Sequence, residues 1–203
     1  MNYIPVDPTL FSFLAGLLLM LVLLLQLHAL RFAYMRLGVG PTAAVVLLLA
    51  SLLGSYVNVP LWQLPDQHII SGEEFRLYGL RYVMPIAVDW PGTIVAVNLG
   101  GAVIPAGLSL YLLAVNKIWV RGALATVVVA ALCYMLATPV PGRGIAIPAF
   151  IPPLVTTIAA LIIAPGKPAP VAYIAGSLGT LIGADLLNLG KVQGLGSPMV
   201  SIG

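Results

Sequence analysis

Residues 9–30 read TLFSFLAGLLLMLVLLLQLHAL, an apolar run containing no Asp, Glu, Lys or Arg. A helix crosses the hydrocarbon core of a bilayer with about 20 such residues. This stretch therefore points to lipid as the solvent before the rest of the chain is read. The start, Met1 to Leu10, carries Asp7 and no Lys or Arg. A cleaved secretory leader needs a positive n-region, so the run is expected to be retained as a helix.

Further apolar runs, each with at most one charged residue, follow at Pro41–Leu61, Thr93–Val115, Val120–Thr138, Ile147–Ala164 and Pro170–Leu189. Composition agrees with them. Of 203 residues, 61% are hydrophobic and only 7% are charged, against about 25% charged in a soluble domain. So few charges could not cover a water-facing surface. The expected fold is an all-α integral membrane protein of six transmembrane helices. It forms a single transmembrane domain over residues 1–203, with residues 62–92 as an extracytoplasmic insertion between helices two and three. That insertion contains Ser71-Gly72, Gly79, Pro85 and Pro91, and it mixes Arg76 and Arg81 with Tyr78 and Tyr82. A short β-hairpin and an interfacial cap both fit this pattern.

The formal charge of +3 and pI of about 9.2 do not indicate nucleic acid, because nine cations spread over the chain form no phosphate-tracking patch. They act instead as topology signals. Loops one, three and five carry Arg31, Arg36, Lys117, Arg121 and Lys167 and no acid; the opposite side carries Arg76, Arg81, Arg143 and Lys191 together with most of the acids. By the positive-inside rule the first set is cytoplasmic and both termini are extracytoplasmic, in a prokaryotic cell (inner) membrane. The expected partners are the lipid bilayer and either a second copy of the chain or a membrane complex. No nucleic acid, cofactor or metal is expected. Cys133 is alone and lies in an apolar run, and His28 and His68 are too far apart to share an ion. Trp62, Trp90 and Trp119 lie near span ends, as interface anchors do.

With this topology, polar residues from separate segments reach one depth near the outer face. They are Asn58 at the end of helix two, Asp89 and Asn98 at the start of helix three, Arg143 before helix five, and Asp185 and Asn188 at the end of helix six. Asp185 is the only acid inside an expected span, where a carboxylate is costly and functional by default; a structural ion pair with Arg143 and an interfacial carboxylate wetted by outer water are the alternatives. At 100° per residue Tyr173, Ser177, Thr180, Asp185 and Asn188 share one side of helix six. Gly179 and Gly183 form a small-xxx-small pair on another side, where a neighbouring helix can approach closely. Gly100-Gly101 with Pro105 are expected to break or kink helix three. Pro152-Pro153 are expected to kink helix five or delay its start. Gly101-Ala-Val-Ile-Pro-Ala106 is echoed by Gly144-Ile-Ala-Ile-Pro-Ala149, either a parallel hairpin repeat or a coincidence of composition.

The residues Asn98-Leu-Gly-Gly101 with Ile104-Pro105, Arg143-Gly144, Pro148, Pro152-Pro153-Leu154 and the run GTLIGADLLNLG at 179–190 together resemble an uncharacterised polytopic membrane family of bacteria and archaea, a domain of unknown function. The resemblance covers the chain from about helix two to its end. It implies a fold and a membrane location but no activity. Gly183-Ala184-Asp185 is also similar, more weakly, to the Gly-x-Gly-Asp motif of intramembrane aspartyl proteases, with Asp89 as the second acid. Ala184 departs from that motif, and the Pro-rich segment lies between the two acids instead of after both.

Three functions follow as expectations. The first is binding or translocation of a small solute or ion at an outward-facing site of Asn58, Asn98, Arg143, Asp185 and Asn188. The second is hydrolysis, with Asp89 and Asp185 as a catalytic dyad. The third is a non-catalytic accessory or assembly subunit of a membrane complex.

Overall fold

The structure, a computed structural model, describes residues 8–65, 67–77, 80–90, 92–140, 144–192 and 198–203, with side chains described over 12–65, 92–140, 144–192 and 198–203. The chain forms two compact units, residues 1–48 and 49–203. The first holds helix α1 (Pro8–Arg36) and the opening of α2 (Pro41–Gly54). From Ser12 to Ala33 the α1 side chains are mostly apolar and exposed all the way round, as a helix solvated by lipid requires. Its end is marked by Arg36, whose guanidinium lies 5.0 Å from the Phe32 ring centroid. Gly38, at φ 87, then turns the chain, and Pro41 opens α2 at a position where a missing N–H costs nothing.

The second unit is built on α3 (Ile104–Asn116), α4 (Trp119–Leu136), α5 (Ile151–Ile163) and α6 (Pro168–Thr180). Helix α6 packs against the other three. Small residues make this possible. A Cβ on Gly179 would stand 2.7 Å from Val129 Cβ, and one on Gly183 would stand 2.2 Å from the Ala130 carbonyl oxygen. The glycine pair therefore faces α4. Ile174, Val171, Val129, Leu112 and Ser109 are fully buried in the resulting core, while Val127, Leu161 and Ile162 on the outer faces are exposed.

Past Thr180 the helix changes character, first to a π turn (Leu181–Asp185) and then to a 3₁₀ turn (Leu186–Lys191). Asn188 is wholly buried and donates from Nδ2 to the carbonyls of Gly183 (2.8 Å) and Ala184 (3.1 Å). It thereby satisfies acceptors that a continuing α-helix would have bonded internally.

An antiparallel ribbon connects α2 to α3. Strand β1 (Asn58–Gln63) pairs with β4 (Ile94–Asn98), and β2 (Gln67–Leu77) pairs with β3 (Leu80–Trp90). One register runs from Trp62↔Val95 outward to Leu77↔Leu80, with a bulge between Pro60 and Trp62. The C-terminal strand β7 (Met199–Ile202) adds to β4 in parallel, giving the order β1-β4-β7. Two short strands, β5 (Thr138–Val140) and β6 (Gly144–Ala146), pair between α4 and α5.

Among the described residues, four helical segments are long and apolar enough to cross a membrane: Ser12–Arg36, Leu99–Asn116, Trp119–Leu136 and Pro168–Lys191. This is an integral membrane architecture, mostly helical, and the insertion between helices two and three is a β-hairpin. Three of the expected spans, the second, third and fifth, are shorter than the sequence suggested. The expected helix two stops at Gly54 and its remainder is strand β1; the expected helix three begins with strand β4 and a π turn (Leu99–Val103) before α3. Pro105 falls in the first turn of α3 and Pro152-Pro153 in the first turn of α5. Helix α5 accordingly begins late, at Ile151, while α3 continues directly from the π turn that holds Gly100 and Gly101. The two Gly-x-x-Ile-Pro-Ala segments adopt different structures, a π turn leading into α3 and strand β6 leading into a turn, so they do not form a structural repeat.

Candidate functional site

Of the polar residues singled out from the sequence, Asn58, Asn98 and Asp185 are linked through strand β7 and the residue that follows it. Asn98 is buried and caps the π turn that follows it: its Oδ1 accepts the Gly101 N–H at 2.7 Å. Its Nδ2 donates to the Ser55 carbonyl at 2.7 Å and to Asn58 Oδ1 at 3.0 Å. Asn58 Oδ1 also accepts from Ser201 Oγ at 2.7 Å. Two residues further on, the Gly203 N–H donates to Asp185 Oδ2 at 3.0 Å. One strand thus links the Asn58–Asn98 pair to Asp185. The amides of Asn58, Asn98 and Asn188 are engaged with protein groups and hold the backbone in place.

Close backbone contact accompanies this network. A Cβ on Gly100 would lie 2.0 Å from the Ser51 carbonyl, and one on Gly101 would lie 2.6 Å from the Gly203 carbonyl carbon. The Ser51 hydroxyl donates to the Gly100 carbonyl at 2.6 Å. Glycine is needed at both positions because another backbone occupies the space of a side chain.

Asp185 is half-buried in the wall of a cleft of about 380 Å³. Ser177 and Thr180 share that wall with the apolar Ile145, Leu181 and Pro105. No Lys or Arg stands among the described wall residues. A second cleft of about 370 Å³ continues along α6 past Gly176 to Tyr173, between α6 and α5. Ser177 and Thr180 line both clefts, with Asp185 in the first and Tyr173 in the second. Asn188 lines neither, because the π and 3₁₀ turns rotate it away from the face that a regular helix would have given it.

The remaining candidates fall differently. Arg143 lies outside the described residues. Asp89 is on β3 opposite His68, and its side chain lies outside the described residues. Among the described residues no group of His, Cys, Asp and Glu could hold a metal ion. The sequence reading passed over Ser55, Ser201 and Gly203. Ser55 lies in the turn before β1, and only long-range pairing of β7 with β4 brings Ser201 and Gly203 to the site, of which a single sequence shows no sign.

Thr156 on α5 was also passed over. It is 5% exposed, lines the second cleft, and its Oγ1 has no hydrogen-bond partner. A buried hydroxyl without a partner is destabilising. Thr156→Val should therefore raise stability by about 1 kcal/mol, read as a higher melting temperature of the detergent-purified protein. A lower melting temperature would show that the hydroxyl is satisfied.

These features define a class: a polytopic α-helical membrane protein with a carboxylate at the broken end of its central helix. Residues 52–203 match the family model described as Protein of unknown function (DUF1614), and the chain belongs to that family. No curated protein and no solved structure matches it. The matched segment takes in the whole Asp185 cleft and strand β7, and α1 precedes it.

Proposed function

We propose that the protein binds a small cation or a solute bearing a positive charge in the Asp185 cleft and passes it along the α6 groove. The observation that carries this reading is the composition of the cleft wall. It presents one carboxylate, two hydroxyls and apolar side chains, with no cation among its described residues. A negative charge so placed in a membrane domain calls for a positive partner, and a mobile one is the functional solution. Discontinuous helices carry ion sites at such depths because their ends release backbone groups, and π turns recur at functional positions. Under this reading all six helices lie at membrane depth. Pro41–Gly54 and Ile151–Ile163 would then complete their crossings with irregular backbone packed against protein. The ends bearing Lys117, Arg121 and Lys167 would face the cytoplasm, and the Asp185 cleft would open outward.

Reconstitution in liposomes loaded with pH- and Na⁺-sensitive dyes tests the proposal, with K⁺ and ethylammonium as further probes. At least one of these cations should enter roughly ten times faster than into empty liposomes, a change equivalent to about 1.4 kcal/mol. Asp185→Asn should abolish the entry while leaving the fold intact, because the amide oxygen can still accept the Gly203 N–H. Entry unchanged in Asp185→Asn, or no entry of any of the four, would overturn the reading.

A further inference from the structure

At the end of α6 opposite Asp185, the α3–α4 turn meets the α5–α6 turn. Lys167 Nζ donates to the Asn116 carbonyl at 3.1 Å and ties one turn to the other. Between them lies an open cleft of about 640 Å³, whose wall includes Lys117, Trp119, Arg121 and Lys167. Three cations and no carboxylate stand among its described wall residues. As topology signals these cations need only lie on one side of the membrane. Gathering them around one cleft adds mutual repulsion that topology does not require.

The backbone gives an independent indication. Lys117 caps α3 in the left-handed conformation, at φ 53 and ψ 42. Among the described residues it is the one non-glycine at positive φ. Glycine is the usual residue at this place after a helix because it adopts the conformation without strain. A lysine there carries backbone strain that glycine would not. The first turn of α4, from Trp119 to Arg121, also lines the cleft, and no side chain caps that helix. Its first amides therefore lack intrahelical partners and present the positive end of the helix to the same space.

The geometry points to a binding site for a phosphate-type anion, held by Lys117, Arg121 and Lys167 at the Asp185-distal end of the core. Arg121 supplies a planar fork suited to two phosphate oxygens, and the lysines supply point charges around it. Such a phosphate can come from an anionic lipid headgroup or from solution. Trp119 sits in the wall and is 54% exposed, like the aromatic anchors that lie at headgroup level. A lipid headgroup is therefore the source favoured.

Isothermal titration of the full chain in detergent, at constant ionic strength, tests the site with three probes: dioctanoyl phosphatidic acid, dioctanoyl phosphatidylcholine and inorganic phosphate. Phosphatidic acid should bind saturably and at least ten times more tightly than phosphatidylcholine. Arg121→Gln and Lys117→Gly should each weaken it at least five-fold. Lys117→Gly should at the same time raise the melting temperature, since glycine relieves the left-handed backbone. A merely structural lysine could not give these opposite changes in binding and stability. Inorganic phosphate binding as tightly as the lipid would support the site and assign it to a soluble anion. Saturable binding of neither phosphate probe, or wild-type affinity in both variants, would overturn the proposal.

Discussion

Gly183→Ala is expected to lower the melting temperature of the detergent-purified protein by about 10 °C, from a cost of about 3 kcal/mol or more. A Cβ at this position would stand 2.2 Å from the Ala130 carbonyl oxygen and 2.8 Å from both the Ala130 carbonyl carbon and Cα. All three are backbone atoms of α4 and cannot rotate aside. The two elements would have to separate by more than an ångström, opening the contacts at Val129 and Gly179 that hold α6 to α4. Close packing of backbones is the main attraction available to helices in lipid, where apolar surface gains nothing by leaving the solvent. The matching control is Gly107→Ala. Nothing lies within 4 Å of a Cβ there, and the position is inside α3. That change should be neutral or stabilising by about 0.5–1 kcal/mol. Equal melting temperatures for Gly183→Ala and the unmodified protein would mean that α4 and the π turn do not touch at this point.

The parts of the fold legible in the sequence are those where hydropathy reports the solvent. Residues 9–30 and the runs that became α3, α4 and α6 could be read because a long apolar segment with at most one charge has few alternatives. Hydropathy failed where apolar residues belong to strands. Asn58-Val-Pro-Leu-Trp-Gln63 and Ile94-Val-Ala-Val-Asn98 carry on the apolar character of the adjoining helices, so spans two and three were drawn straight through them. Short apolar runs do not distinguish helix from strand by periodicity. Pro60 was the available signal: it is tolerated in a sheet only at an edge or bulge, and β1 is an edge strand bulged between Pro60 and Trp62.

The site was legible to a similar extent and for similar reasons. Asp185 could be singled out because an acid within an apolar span is costly wherever it points. Ser177 and Thr180 followed because α6 is regular up to Thr180. Beyond that residue the extra residue of a π turn changes the angular spacing, and projecting Asn188 as if the helix continued placed it on the wrong side. Hydrogen bonding to the Gly183 and Ala184 carbonyls gives Asn188 a structural task that an angular projection could not show.

Asn98→Asp should destabilise the protein more than Asn98→Ala does, an order opposite to what similarity of shape suggests. The side chain is 7% exposed and has fixed polarity. Its oxygen meets the Gly101 N–H, which can only donate; its nitrogen meets the Ser55 carbonyl, which can only accept. Alanine removes the bridge and leaves buried partners unsatisfied at about 1–3 kcal/mol each. An ionised aspartate keeps the Gly101 bond. It also sets a negative oxygen where the amide nitrogen stood, at hydrogen-bonding distance from the Ser55 carbonyl oxygen and Asn58 Oδ1. The Asn58 amide can turn to donate, but the Ser55 carbonyl cannot, so one acceptor–acceptor contact remains in a buried place. Both variants should also loosen β7, because Asn58 Oδ1 is the acceptor for Ser201. That loosening should appear as faster backbone amide exchange at Val200–Ile202 while exchange in α4 stays slow. A melting temperature for Asn98→Asp equal to or above that of Asn98→Ala would reverse the amide's orientation and with it the assignment of Asn98 as the bridge from α2 to the sheet.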